Sequence, residues 1–221
     1  VVTVPSTALI DSKGRLAYFL FGYSLEEREA LFDAIDATAG IKRRAPATGP
    51  RIASAALRRL QLGRFQLSRG QDGPARESFE QARKADETFA DPLVELAALA
   101  LDANDVATAR GFLERALRLS ADHSGARRER ARLQLLEGNR DEAERALQDL
   151  AVNGGDSAAV AYLGYLLQAR GDRARAEGAF DRAKTLSGID PRPHAGAEPS
   201  APAAVARAMT AYRREVAPGR R

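Results

Sequence analysis

The 221-residue chain contains no cysteine. Disulfides, thiolate metal sites and a cysteine nucleophile are therefore excluded within it, while either redox compartment stays open. Histidine is nearly as scarce. His123 and His194 have no partner at ligand spacing and read as surface residues. No stretch approaches the roughly 18 to 20 consecutive apolar residues of a membrane-spanning helix. Phosphate-cradling glycine loops and nucleophile elbows are missing as well. Carboxylates such as Glu77, Asp86, Glu87, Glu142 and Glu144 fall at exposed helical spacings beside arginines, which reads as surface ion pairing rather than acid–base chemistry. The expectation is a protein with no catalytic centre, no metal and no cofactor, and so not an enzyme as it stands.

What the chain does have is a repeat. A turn residue recurs as Gly70, Asn104, Gly138 and Gly171. Five positions later stands Ala75, Ala109, Ala143 or Ala176, and four beyond that Phe79, Leu113, Leu147 or Phe180. Three further on come Ala82, Ala116, Leu150 and Ala183, and seven before each turn Gly63, Ala97, Ala131 and Gly164. Two helices approach closely only where the side chains at their crossing are short. A small residue repeated at that point on each side of a turn therefore predicts helical hairpins stacked at a period near 34 residues.

These five columns resemble the tetratricopeptide repeat (TPR). The resemblance implies a mostly α protein, an α-solenoid of four hairpins over 53–187, and a non-catalytic scaffold or assembly subunit that presents a surface to other proteins. Carried onto this sequence, the family's binding-groove columns fall on Leu60 and Arg64, Val94 and Ala98, Arg128 and Arg132, and Ala161 and Tyr165. Arg64, Arg128, Arg132 and Tyr165 are the partner-binding residues expected. Arginine forks suit carboxylates and tyrosine offers a flat apolar contact, so the expected partner is an acidic or C-terminal protein segment. The Lys and Asn of chaperone-tail clamps are not matched here, where Arg64 and Ala98 stand in the Asn column.

Residues 1–38 do not follow the repeat. Ser6 to Asp11 and Leu16 to Phe21 read as strands joined across Gly14, and Ser24 with Glu27 forms a capping box ahead of a helix. The run V-P-S-T-x-L-I-D-x-x-G-R resembles the C-terminal half of thioredoxin-like redoxins of the TlpA and peroxiredoxin-like group. That resemblance implies a cis bond before Pro5, a missing upstream portion bearing the redox cysteines, and a bacterial periplasmic or other extracytoplasmic setting. It also carries the alternative function, a thiol-disulfide oxidoreductase whose Cys-bearing half lies outside this chain.

The remaining segments are a basic linker over 39–52, a Pro- and Ala-rich linker over 188–203 and a helix over 204–217. From Ala39 to Arg69 there is no acidic residue, only Lys42, Arg43, Arg44, Arg51, Arg58, Arg59, Arg64 and Arg69 on the charged side. Such a run reads as a solvated face or as a patch for an anionic partner. Nucleic acid is not expected, because Phe65 is the one aromatic interleaved with it and no reader motif appears. In the last helix Val205, Met209, Tyr212 and Val216 form one apolar stripe, suited either to capping the repeat stack or to docking on a partner.

Overall fold

A computed structural model describes residues 6–21, 38, 52–153, 155–194 and 201–216. The chain divides into two compact units, Val1–Ser54 and Ala55–Arg221.

In the first unit, β1 (Ser6–Ile10) pairs antiparallel with β2 (Leu16–Phe21), in a register that sets Ser6 opposite Phe21 and Leu9 opposite Tyr18. The register shifts between Leu9 and Ile10. The connection is held by Asp11, whose carboxylate accepts from the backbone N–H of Lys13 and of Arg15, both at 2.9 Å. Gly14 lies at φ 75°, where a side chain would be strained. Pro5, the helix expected after Ser24 and most of the basic linker lie outside the described residues.

The second unit is built from α1 (Ser54–Ser68), α2 (Asp72–Ala85), α3 (Asp91–Asp102), α4 (Val106–Leu119), α5 (Ser124–Leu136), α6 (Arg140–Asn153), α7 (Ser157–Ala169), α8 (Arg173–Ser187) and α9 (Pro202–Val216), with a short 3₁₀ turn at Arg192–His194. Helices α1 to α8 pair as four hairpins. Among the described residues of this unit, the positive-φ positions are Gly70, Asn104, Gly138, Gly171 and Gly188. The first four are the turn column of the sequence, because the chain reverses there through a left-handed residue that glycine or asparagine supplies at least cost. Gly138 has φ 89°. Gly138→Ala is expected to lower stability by about 1–2 kcal/mol, the strain of that conformation for an L-residue, read as a shift of the denaturant midpoint with unchanged slope.

The small and large columns meet inside each hairpin. Ala75, Ala109, Ala143, Ala176, Phe79, Leu113, Leu147 and Phe180 are all buried. Their sizes are matched across the crossing. Where the second helix carries Phe79 or Phe180 the first carries Gly63 or Gly164, and a Cβ at either glycine would lie 2.4 Å from the ring's Cε1. Where the second helix carries Leu113 or Leu147, the first carries Ala97 or Ala131. Successive hairpins then pack second helix on following first helix, and α3 also touches α5.

Carboxylates close several helix starts. Asp105 accepts from Thr108 N–H, Asp156 from Ala158 and Ala159 N–H, and Asp172 from Arg175 N–H. Asp91, just before Pro92, opens α3 without a cap bond and turns its carboxylate to Arg64. His123 is not a bare surface residue. Its Nδ1 accepts from Ala126 N–H at 3.3 Å, capping α5.

Candidate interaction surface

Helix α7 is apolar around its circumference. Every residue from Ala158 to Leu167 is buried, the pattern of a helix covered on all sides. Its own hairpin partner α8 and the preceding α6 cover two sides. Much of the rest is covered by α9, which lies on α7 and α5, the first helices of the last two hairpins. Val205, Ala208, Met209 and Tyr212 enter the same apolar cluster as Leu135, Tyr162, Tyr165 and Leu166. The terminal helix thus docks along the face that the first helices present. The stripe read from the sequence left capping and docking open, since both bury the same residues.

The polar side of this contact is a network of charges. Arg132, 1% exposed, donates to Asp102 Oδ1 at 2.7 Å, to Glu129 Oε2 at 3.4 Å and to the hydroxyl of Thr210 at 2.5 Å. Arg213 donates to Asp102 Oδ2 at 3.0 Å and to Glu95 Oε2 at 3.3 Å. Arg214 grips Asp72 with two nitrogens, at 3.1 and 2.7 Å, and reaches Asp102 Oδ2 at 3.0 Å. Asp102 is therefore shared by three guanidiniums from two distant parts of the chain. Burial is the largest single influence on its carboxyl and opposes ionisation, but Arg213, Arg132 and Arg214 together hold it well below the ordinary carboxylate range.

The four residues expected to line a groove do occupy connected positions, but they are engaged within the chain. Arg64 donates to Glu95 Oε1 at 2.7 Å and to Asp91 Oδ1 at 3.1 Å. Arg128 donates to Asp156 Oδ2 at 2.7 Å and to Glu129 Oε1 at 3.0 Å, with its guanidinium 5.9 Å from the Tyr162 ring centre. Burial works against the Arg128 charge, and Asp156 and Glu129 outweigh it, so the group is held charged more firmly than a free arginine. Tyr165 is fully buried and donates its hydroxyl to the Pro191 carbonyl at 2.8 Å. Burial raises its pKa above that of a free phenol. None of the four offers a free cation or an open ring to an acidic partner, because carboxylates engage the arginines and the Pro191 carbonyl takes the tyrosine hydroxyl.

What sequence reasoning missed is the acidic side of the face. Asp91, Glu95, Asp102, Glu129 and Asp156 bond to these arginines, and Asp72 bonds to Arg214. Five of these carboxylates meet three repeat guanidiniums; Arg213 adds to Glu95 and Asp102, and Arg214 adds to Asp102 and holds the sixth, Asp72. The available signal was Asp91, Glu95 and Asp102 on an otherwise apolar α3, whose residues Leu93, Leu96, Ala97 and Leu101 are core. His194 likewise belongs to the docking of α9: its Nε2 lies 2.5 Å from Glu215 Oε2, and its ring meets that of Tyr212 edge-on at 6.2 Å. Among the described residues no group of three or more His, Asp and Glu is arranged to hold a metal ion, and no helix is long and apolar enough to cross a membrane. A separate cleft of about 510 Å³ lies between α4 and α5, lined by Leu113, Leu133, Arg110, Glu137 and neighbours. Arg110 and Glu137 close on each other there at 2.5 Å.

Comparison with known proteins returns the same repeat. A tetratricopeptide-repeat family model matches residues 100–164. No curated protein matches the sequence. Among solved structures the chain is similar to MamA from Desulfovibrio magneticus RS-1, at 17% identity over 65% of this chain and 82% of that one, with a TM-score of 0.45. It is similar to YrrB, a TPR protein with an unusual peptide-binding site, at 20% identity over 74% and 80% of the two chains, with a TM-score of 0.41. A third likeness is to TTC0263, a thermophilic TPR protein of Thermus thermophilus, at 20% identity over 62% and 93%, with a TM-score of 0.41.

Proposed function

We propose that this chain is a protein–protein interaction scaffold, and that it binds segments of other proteins along the face made by α1, α3, α5 and α7. The observation that carries this reading is α9 itself. The face already holds a complete amphipathic helix, with an apolar strip for Val205, Met209 and Tyr212 and carboxylates for Arg213 and Arg214. A surface with both properties satisfies the requirements for taking a helix in a groove: apolar anchors at helical spacing and charge pairs that set its direction. Under the same proposal residues 1–38 are a redoxin-like accessory segment, a reading that rests on the V-P-S-T-x-L-I-D-x-x-G motif alone.

The test is positional cross-linking. A photo-reactive residue replacing Asp91, which contacts Arg64 at the edge of this face, is expected to trap a protein from extract of the native host. The same residue at Arg110, in the α4–α5 cleft, is expected to trap none. Cross-links from Arg110 alone would move the binding surface to the cleft and remove the present reading.

A further inference from the structure

We propose that α9 is a displaceable occupant of the first-helix face, and that the external ligand of that face is a basic amphipathic helix with the same pattern, apolar residues at spacings of four and three followed at once by two arginines. This rests on the scaffold reading above and names the partner class for it.

Three features lead to this assignment. The first is charge. With α9 in place, Asp102 is shared by Arg132, Arg213 and Arg214, and Asp72 is gripped by Arg214. With α9 lifted away, the repeat arginines Arg64, Arg128 and Arg132 remain against Asp91, Glu95, Asp102, Glu129 and Asp156, and Asp72 loses Arg214. The uncovered face is then acidic, and a ligand that restores neutrality must bring positive charge where Arg213 and Arg214 sat. An acidic segment would meet like charge around Asp102 and Glu95, the carboxylates that Arg213 now holds.

The second feature is shape. Val205, Met209 and Tyr212 share one apolar cluster with Leu135 of α5 and Tyr162, Tyr165 and Leu166 of α7. It is a continuous helical seat rather than a slot for an extended strand, so the ligand is helical.

The third feature is the fit of α9, which is good but incomplete. The Nε atoms of Arg132 and Arg213 are buried and have no hydrogen-bond partner. A buried polar group without a partner costs stability, and here two such groups sit in the contact that holds α9 down. The helix is joined covalently to α8, so it occupies the face at the effective concentration of a tethered ligand. It therefore masks the site without needing tight intrinsic affinity. An external helix competes with it, and its apparent affinity is reduced by the fraction of chains in which the face is open.

The experiment uses the full chain and a fluorescent peptide of residues 201–217 as the probe. Wild type and an Arg213→Glu, Arg214→Glu chain are titrated by anisotropy, with circular dichroism melts confirming that both are folded. The charge reversal weakens the tethered helix, so the probe is expected to bind that chain about tenfold or more tighter than wild type, in keeping with unmasking of an occupied site. Binding is expected to weaken as ionic strength rises, and a probe carrying the same two Glu substitutions is expected not to bind. Equal binding of both probes, or equal affinity for both chains, overturns the proposal. So does tighter binding of an acidic peptide than of the basic one.

A second measurement needs no variant. In native-state hydrogen exchange of wild type, amides of α9 are expected to exchange through local opening, well ahead of those in α5 and α7. If α9 exchanges only together with α5 and α7, it is a fixed part of the core and the proposal fails. Concentration-dependent dimers whose exchange protection returns on association would assign the face to the α9 of a second copy, which also overturns it. If the probe is refused while cross-linking at Asp91 still captures a protein, this proposal falls and the scaffold reading stands.

Discussion

Arg132→Ala is expected to destabilise the repeat unit by about 3–5 kcal/mol, the usual cost of removing one partner of a buried ion pair. The side chain is 1% exposed, and its loss leaves Glu129, which is fully buried, and Asp102 with fewer compensating bonds. The effect is larger than for a surface pair because water cannot replace the lost guanidinium. Denaturant unfolding of the full chain measures it, and a loss below about 1 kcal/mol would show that the network is solvated rather than sealed. Acid provides a second reading of the same cluster. The Asp102 carboxyl is held below its ordinary value of 3.8 in the folded chain, so the unfolded chain binds the proton first as pH falls. The stability Asp102 contributes is present above the unfolded value and lost as pH drops through and below it. Asp102→Asn is expected to be less stable at neutral pH and to show a flatter decline in acid.

Gly164→Ala is expected to cost about 1–3 kcal/mol through overpacking of a helix crossing. The added Cβ would stand 2.4 Å from Cε1 and 2.6 Å from Cδ1 of Phe180. That ring has little room to move: Tyr165 packs on it with centroids 5.3 Å apart, and the Arg192 guanidinium lies 5.9 Å from its centre. Phe180→Leu made together with Gly164→Ala would reproduce the pairings Ala97 with Leu113 and Ala131 with Leu147. The double variant is therefore expected to be more stable than the sum of the two single losses, because residues in contact do not act additively. Thermal or chemical melts of the four chains in this cycle decide it. Additivity within about 0.5 kcal/mol would mean that the size matching of the columns is incidental.

The hairpins were legible because each is specified by residues close in sequence and by one physical demand at a time. A left-handed turn asks for Gly70, Asn104, Gly138 or Gly171, and the crossing asks for a small residue at 63, 97, 131 and 164. The match of Gly63 to Phe79 and Gly164 to Phe180 was also visible in the columns, but its meaning needed the ring contact. Arg64, Arg128, Arg132 and Tyr165 could be placed on a connected face by register alone. Their state could not, because the groups that neutralise or cover them come from other helices: Glu95 for Arg64, Asp156 for Arg128, Asp102 and Thr210 for Arg132, and the Pro191 carbonyl for Tyr165.

By itself, then, the sequence determined the repeat, the positions of its turns, the small residue at each crossing and the amphipathic stripe of the last helix, since period, backbone handedness and side-chain volume act over a few residues. Only the tertiary structure decided where that helix lies and what sign of charge the face presents. The stripe of Val205, Met209 and Tyr212 fits a cap and a groove equally well. Its place on the chain's own repeats is fixed by Arg213 and Arg214 reaching Asp72, Glu95 and Asp102. Those partners stand more than a hundred residues away in the chain, and neither period nor propensity carries information over that distance.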